Sequence, residues 1–510
     1  MSELFLELLA TSASTIELDT GSVDGPELVA DGRRLAAEWA RSGLRSGDRV
    51  GLWLPNGRRY LEALAACAAG GHVAVSVNTR WTGNEATSLL ARSGARWLRT
   101  ADEDRPVEPK RSSAESGQRL PALADGDRPF VVFTTSGTTS RPKMVLHGQQ
   151  SIVTHGHDAA RAFGYDPSGP VLVAMPLCGV FGLTSLVAAV AGGAPIVMPS
   201  VIDAVDIAHR VHAQRIRAMN GSDDLFHRIL AAEEGALDLS SLKVGGYARF
   251  NTSLDGIVER AEQRGMIITG LYGMSEVQAL FSLRDPAGST TERQRAGGTV
   301  VSAQARARVV GDELQLRGPS LFTGYLAEGG GVVDEDLTAA AFTDDGLSDG
   351  DRPGSATDGD RQGGGLTRRG WFRTGDAAEM EDPIEGRDTF LYQARMGDVL
   401  RLGGFLVAPA EIEAALIDFP GVEAVQVVAV DRPTGTRPVA FVTGVAAGDA
   451  GDHFDERAAI EHCATRLARF KVPVRIIPIE EFPTTPSANG TKIQKVKLRR
   501  LAAGALDRDR

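Results

Sequence analysis

Residues 130–143 read FVVFTTSGTTSRPK, an apolar β-type run that feeds directly into small hydroxyl residues around Gly137. Glycine reaches backbone angles that turn consecutive N–H groups onto one anion. Thr134, Thr135, Ser136, Thr138 and Thr139 add hydroxyl donors with little bulk, and Lys143 adds a positive charge. Such a set suits a triphosphate. The spacing G-x-x-x-x-G-K-[ST] is absent, so this is not that class of NTPase. By itself the segment also reads as a Ser/Thr-rich surface turn.

Three later segments carry groups that would complete such a site. Residues 271–276 read LYGMSE, residues 370–376 read GWFRTGD, and residues 489–495 read NGTKIQK. Taken singly each has a bland reading: Glu276 as a solvated acid after a strand, Asp376 as a turn or salt-bridge residue, Lys492 as a loop lysine.

In this order, the four segments resemble the adenylate-forming superfamily, which includes acyl- and aryl-CoA synthetases, nonribosomal peptide adenylation domains and luciferases. SGDRVGLWLPN, ALAACAAGGHVAVSVNTRWT, DELQLRGPSLFTGYL and RLGGFLVAPAEIEAAL follow the family's running pattern as well, so the match covers nearly the whole chain. The resemblance implies a large N-terminal α/β adenylate-forming domain and a small, mobile C-terminal α/β domain. It also implies ATP, Mg²⁺ and a carboxylate as reactants, with CoA as the acyl acceptor.

Roles carry over position by position. Tyr272 lies against adenine, Ser275 bonds the α-phosphate, and Glu276 holds Mg²⁺, which prefers hard oxygens shared with substrate phosphates. Asp376 accepts from both ribose hydroxyls, and Arg395, in YQARMGDVLRLGGF, also reaches the ribose. Lys492 is the adenylation lysine, a fixed cation where charge builds as pyrophosphate leaves. Cys178, Gly179, Gly273 and Met274 line the substrate pocket, and Gly404 in the 401–405 stretch belongs to the thiol channel.

The chain departs from the family at four places. Ser140 replaces a loop glycine. Cys178 and Gly179, in MPLCGVFGL, stand where an aromatic–histidine pair borders the carboxylate and gates the acyl pocket. Gly397 replaces a hinge Asp or Lys, with Asp398 beside it. Residues 347–369 intervene where LTAAAFTDDG would run straight into the WFRTGD stretch. Their Gly- and Asp-rich composition cannot bury enough surface to offset ordering entropy. Replacing 347–369 with a short Gly-Ser linker is expected to leave melting temperature and adenylation rate unchanged. A collapse in melting temperature would show a structural element there.

Three other functions compete with CoA ligation. One is loading of a carrier protein's phosphopantetheine arm, and another is activation of a different oxyanion such as nitrite. The third is a regulatory nucleotide-binding protein, against which the joint presence of Lys492, Glu276 and Asp376 argues.

The elements that must position these groups show in the periodicity. Residues 28–43 have helical spacing, DRVGLWLPN is a strand closed by a turn, and a helix (RRYLEALAACAAGG) and strand (HVAVSVN) follow. This alternation predicts an α/β domain with parallel pairing, continued through 171–174, 194–198 and 266–272. Residues 101–129 and 344–369 read as unstructured. After Phe390 a helix from 411, strands AVQVVAV and RPVAFVTGV, a helix over 455–470 and strand RIIPIEEF form a second unit. The expected division is 1–394, a junction at 395–404, and 405–510.

At 510 residues the chain is too long for one core. Its net charge of −11 gives no general attraction to nucleic acid or anionic lipid. Cys67, Cys178 and Cys463 are odd in number, far apart and without metal-ligand spacing, so buried reduced thiols are expected. The N-terminus carries acids where a signal peptide needs basic residues, and no run of apolar residues is long enough to span a bilayer. A cytoplasmic, soluble protein is expected.

Overall fold

The computed structural model describes residues 4–107, 128–135, 142–232, 237–249, 256–330, 333–343, 370–396, 400–402, 405–407, 409–430, 436–444, 454–487 and 490–507. Residues 108–127 and 344–369, both read as unstructured, lie outside them.

The first long helix, Gly25–Arg41, begins ahead of its apolar periodicity because Asp24 caps it. The Asp24 carboxylate accepts the Glu27 N–H at 2.8 Å, and Pro26 occupies the first turn. A Cβ on Gly25 would stand 1.9 Å from the Leu9 carbonyl oxygen, so only glycine lets this helix seat against helix Leu4–Thr11. Leu28, Leu35 and Trp39 form its buried face.

The alternation that follows builds a seven-stranded sheet. Strands Arg49–Trp53, Val73–Ser76, Trp97–Thr100 and Pro129–Thr134 pair in parallel, as the pattern predicts. Asp104–Pro106 extends the sheet as an antiparallel edge strand, so that part of the 101–129 stretch is ordered after all. At the opposite edge Met144–Gly148 returns antiparallel to Pro129–Thr134, and the two-residue strand Gly324–Tyr325 pairs with it.

A second sheet has thirteen strands and two characters. Its parallel half contains Val171–Leu172, Ile196–Met198, Ala218–Ser222, Val244–Ala248 and Ile268–Met274. From Gln278–Leu283 onward the neighbours are antiparallel, and Phe372–Ile384 lies between Glu313–Arg317 and Arg387–Arg395. The strand–helix pattern carries no sign of this half. Strand Ile268–Met274 also runs further than expected, through Tyr272 to Met274.

The apolar stretch 180–198 splits into helix Val180–Ala191 and strand Ile196–Met198, both buried. Among the described residues no helix is long and apolar enough to cross a membrane. Cys67, Cys178 and Cys463 are buried and free.

The C-terminal unit is a three-stranded sheet of Ala424–Val430, Arg437–Thr443 and Arg475–Pro478. One core cluster joins Leu400, Leu402, Val407, Ile412 and Leu416 to Val425 and Val427. Leu498, Ala502 and Leu506 of helix Lys495–Asp507 pack with Val428 and Phe441 in another. The helix expected over 455–470 stops at Ala464, where the Thr465 hydroxyl donates to the His462 carbonyl at 2.8 Å and closes the turn.

Candidate active site

Thr134 ends its strand opposite Met144, so the hydroxyl loop leaves and re-enters the sheet between adjacent strands. Thr135 closes the neck of that loop. Its N–H donates to the Lys143 carbonyl at 3.0 Å, and its Oγ1 accepts the Lys143 N–H at 3.1 Å. Ser136, Gly137, Thr138, Thr139 and Ser140 lie outside the described residues. Lys143 Nζ sits 4.4 Å above the centroid of the Tyr325 ring, a cation–π contact.

The hydroxyl of that ring reaches the second sheet. The Tyr325 hydroxyl donates to Glu276 Oε1 at 3.0 Å, and the Glu276 carbonyl accepts the Phe322 N–H at 2.8 Å. Glu276 sits on the turn between strands Ile268–Met274 and Gln278–Leu283 and is buried. Burial raises its carboxyl pKa, and the Tyr325 hydrogen bond works against that rise. The site therefore lies at a seam between two sheets. Tyr325 bridges it, and the sequence reading gave Tyr325 no role. Its signal was present in FTGYL, since a tyrosine in a buried run needs a partner for its hydroxyl.

The turn itself is tight. A Cβ on Gly273 would stand 2.6 Å from Ala279 Cα, which explains the glycine between Tyr272 and Met274. Gln278 and Leu280 take φ values of 66° and 61°. Non-glycine residues held there cost on the order of 1–3 kcal/mol each and persist only where the surroundings over-determine them. Ser275 contributes a carbonyl that contacts His147 Nε2 at 2.7 Å.

Beside this turn, three residues assigned to the nucleotide converge. Asp376 and Arg395 are register partners on neighbouring strands, and Arg395 Nη1 pairs with Asp376 Oδ1 at 3.0 Å. The Tyr272 hydroxyl donates to Asp376 Oδ2 at 2.6 Å. Burial and the Asp376 charge together raise the Tyr272 pKa, so the phenol stays a donor. Burial is the largest single influence on Arg395 and would lower its pKa, but Asp376, Tyr272, Tyr392 and Glu276 together outweigh it and the net shift is upward. The Tyr272 ring packs on Phe390 and Tyr392, with centroids 5.3 and 5.7 Å away.

Asp376 is fixed by a bulge in its strand. Its N–H donates to Thr374 Oγ1 at 3.0 Å, and that hydroxyl donates to the Leu314 carbonyl at 2.7 Å. Gly375 has φ 68°, and its N–H donates to Glu313 at 3.1 Å. A carboxylate offers about four lone-pair sites. The Tyr272 hydroxyl meets one of them on Oδ2, and Arg395 Nη1, which donates to the Thr374 carbonyl at 2.9 Å, stands beside Oδ1 as an ion pair.

The predicted pocket residues fall into two groups. Met274 Sδ lies 3.5 Å from the Tyr272 hydroxyl, at the edge of the Asp376 cluster with Gly273. Cys178 and Gly179 are held by different residues. Asn56 accepts the Leu177 N–H at 2.8 Å and donates to the Met175 carbonyl at 3.1 Å, while the Tyr60 hydroxyl donates to the Leu177 carbonyl at 3.1 Å. Burial pushes the Cys178 thiol up to about 11, so it is no nucleophile at neutral pH. Gly179 is the N-cap of helix Val180–Ala191, at φ −101° and ψ 149°, angles open to any residue.

Lys492 occupies strand Gly490–Ile493, opposite Thr485 of strand Thr484–Ser487. Its side chain, Gly397, Asp398 and Gly404 lie outside the described residues.

Comparison with known proteins identifies the family. The model of the AMP-binding enzyme family matches residues 19–326, and that of the AMP-binding enzyme C-terminal domain matches residues 411–489. The 2-succinylbenzoate–CoA ligase of Listeria innocua is 26% identical over 477 residues, covering 91% of each chain. The sulfoacetate–CoA ligase of Cupriavidus necator is 27% identical, covering 92% of this chain and 91% of its own. In fold, the O-succinylbenzoate coenzyme A synthetase of Bacillus subtilis, solved with ATP and magnesium ion, superposes with a TM-score of 0.75. It is 19% identical, and the match covers 97% of this chain and 99% of that one. With both family models matched in order and Lys143, Tyr272, Glu276, Asp376 and Arg395 near one seam, the chain belongs to the AMP-binding enzyme family.

Proposed function

We propose that this protein is an AMP-forming acid–thiol ligase that activates a carboxylate with MgATP and passes the acyl group to CoA. The observation that carries the reading is the Asp376 carboxylate held between Tyr272 and Arg395, next to the turn bearing Glu276. In the first step a carboxylate oxygen attacks the α-phosphorus and pyrophosphate leaves. In the second, the thiol sulfur attacks the acyl carbon and the bond to AMP breaks.

Asp376 would orient the ribose by accepting from its hydroxyls. Thr135 and Lys143 anchor the loop that meets the phosphates, and Lys492 would neutralise charge at the reacting oxygens. Glu276 fits a magnesium ion: it is one buried carboxylate, with no cluster of three or more His, Cys, Asp or Glu side chains arranged for a metal among the described residues. Magnesium in such a place takes its remaining ligands from water and substrate phosphates. Once bound, it would supply charge neutralisation at the phosphate oxygens.

The chain is read as units 1–394 and 405–510, the second turning about 395–404 to exchange Lys492 for a thiol channel near Gly404. The packing of Leu400 and Leu402 into the small unit's core supports a joint just before them. Pyrophosphate release measured across aliphatic and aromatic acids, with and without CoA, tests the function. Release with no acid, or thioester formation with none, would overturn it.

Gly179 should govern substrate choice. Gly179→His would fill the place of the family's gating side chain, at backbone angles that tolerate it. The substrate range is expected to narrow through kcat/KM for the acid, with KM for ATP unchanged. Overpacking at this buried position would cost about 1–3 kcal/mol, so melting temperature is measured on the same samples. A folded variant with unaltered acid preference would remove Gly179 from the pocket.

A further inference from the structure

Two buried histidines outside the predicted site face the turn that carries Glu276. His147, on strand Met144–Gly148, places Nε2 2.7 Å from the Ser275 carbonyl oxygen. His155, on helix Gln149–Phe163, places Nε2 2.7 Å from the Ala279 carbonyl oxygen. A carbonyl can only accept, so both rings carry their proton on Nε2. Both side chains are fully buried, and burial lowers the pKa of each, that of His147 to about 4. Each is therefore neutral at working pH. Between them Ser151, one helical turn before His155, accepts at its carbonyl the Gln278 side-chain N–H at 3.0 Å.

These three contacts fall on both sides of Glu276, and the segment they grip includes the left-handed Gln278 and ends just before the left-handed Leu280. A strained turn relaxes unless its neighbours hold it. We propose that His147 and His155 are positioning residues that clamp the Ser275–Ala279 turn through its carbonyls, so that the Glu276 carboxylate is held ready for a divalent cation. Tyr325 orients one carboxylate oxygen, while the histidines fix the backbone from which the side chain projects. The inference rests on the reading of Glu276 as the magnesium residue. It adds residues that none of the nucleotide motifs contain.

The test compares His147→Gln with His147→Asn. A glutamine amide nitrogen lies where Nε2 was, whereas that of asparagine lies near Nδ1, so both variants are polar but only one keeps the clamp. Mg²⁺ is titrated calorimetrically into the full chain with α,β-methylene-ATP, and binding of the analogue in EDTA is measured in parallel. His147→Asn should weaken Mg²⁺ about tenfold, as loss of a supporting shell does. His147→Gln should stay close to the parent protein, and analogue binding in EDTA should not change. His155→Asn and His155→Gln should repeat the pattern with a smaller shift. A folded His147→Asn with parental Mg²⁺ affinity overturns the proposal, as does equal loss in the Gln and Asn variants. Failure of both Asn variants to fold would assign the histidines to the fold alone and overturn it too. Glu276→Gln separates the two readings: if it leaves Mg²⁺ affinity unchanged, the magnesium assignment falls, whereas if it weakens Mg²⁺ and His147→Asn does not, only the clamp falls.

Discussion

Lys492→Ala is expected to abolish most acyl-AMP formation, with the rate falling about a hundredfold to a thousandfold, the loss seen when one preorganised charge donor is removed from a reacting oxyanion. Negative charge gathers on the α-phosphate and leaving pyrophosphate as the new bond forms. A fixed ammonium lowers the energy of that state more than of the ground state. Lys492 stands on a short hairpin strand of the C-terminal unit, opposite Thr485, in a two-stranded sheet separate from that unit's three-stranded one. Removing its side chain should therefore leave the fold intact. Thioester formation from preformed acyl-AMP should persist, because the proposed rotation takes this lysine out of the site before the thiol attacks. Pyrophosphate exchange measures the first step, and single-turnover thioester formation from synthetic acyl-AMP measures the second. Equal loss of both on a folded protein would rule out the assigned role.

The second large effect belongs to Asp376. Asp376→Asn keeps the shape but exchanges one acceptor oxygen for a donor and removes the charge that holds Arg395. Hydrogen bonds to a charged group contribute about 1.5–3 kcal/mol each, so loss of one such bond to the ribose should lower kcat/KM for ATP about tenfold to a hundredfold. KM for the acid should hardly move. Tyr272→Phe provides the comparison. It removes one donor from Asp376 Oδ2 and leaves the Arg395 pair in place, so a smaller loss is expected. A folded Asp376→Asn enzyme with unchanged ATP dependence would move the ribose elsewhere.

The departure at Cys178 and Gly179 is expected to bear on the choice of acid rather than on nucleotide binding. The segment carrying Cys178 and Gly179 is tied to Asn56 and Tyr60, residues of the N-terminal α/β alternation. The nucleotide cluster is instead tied to strands Phe372–Ile384 and Arg387–Arg395. Gly179 and Asp376 thus rest on separate supports, and the Gly179 substitution is expected to change acid preference without changing ATP dependence.

What the sequence determined by itself was local. The strand that runs into the hydroxyl segment, the short motifs bearing Glu276 and Asp376, and the strand–helix alternation of the parallel regions each fit within a short window, where periodicity and backbone preference act directly. The cap at Asp24 lay among polar residues with no period, so the helix start was misplaced. Tertiary structure alone decided which of these windows meet. Tyr325 reaches Glu276 across 49 positions, Tyr272 reaches Asp376 across 104, and His147 reaches Ser275 across 128. It also decided the antiparallel half of the large sheet, where Asp376 comes to face Arg395. Such contacts depend on sheet order and register, and a window of neighbouring residues contains neither. The same residue types would satisfy the same local rules in any strand order, but only this order brings a buried carboxylate, a phenol and a guanidinium onto one side of the seam.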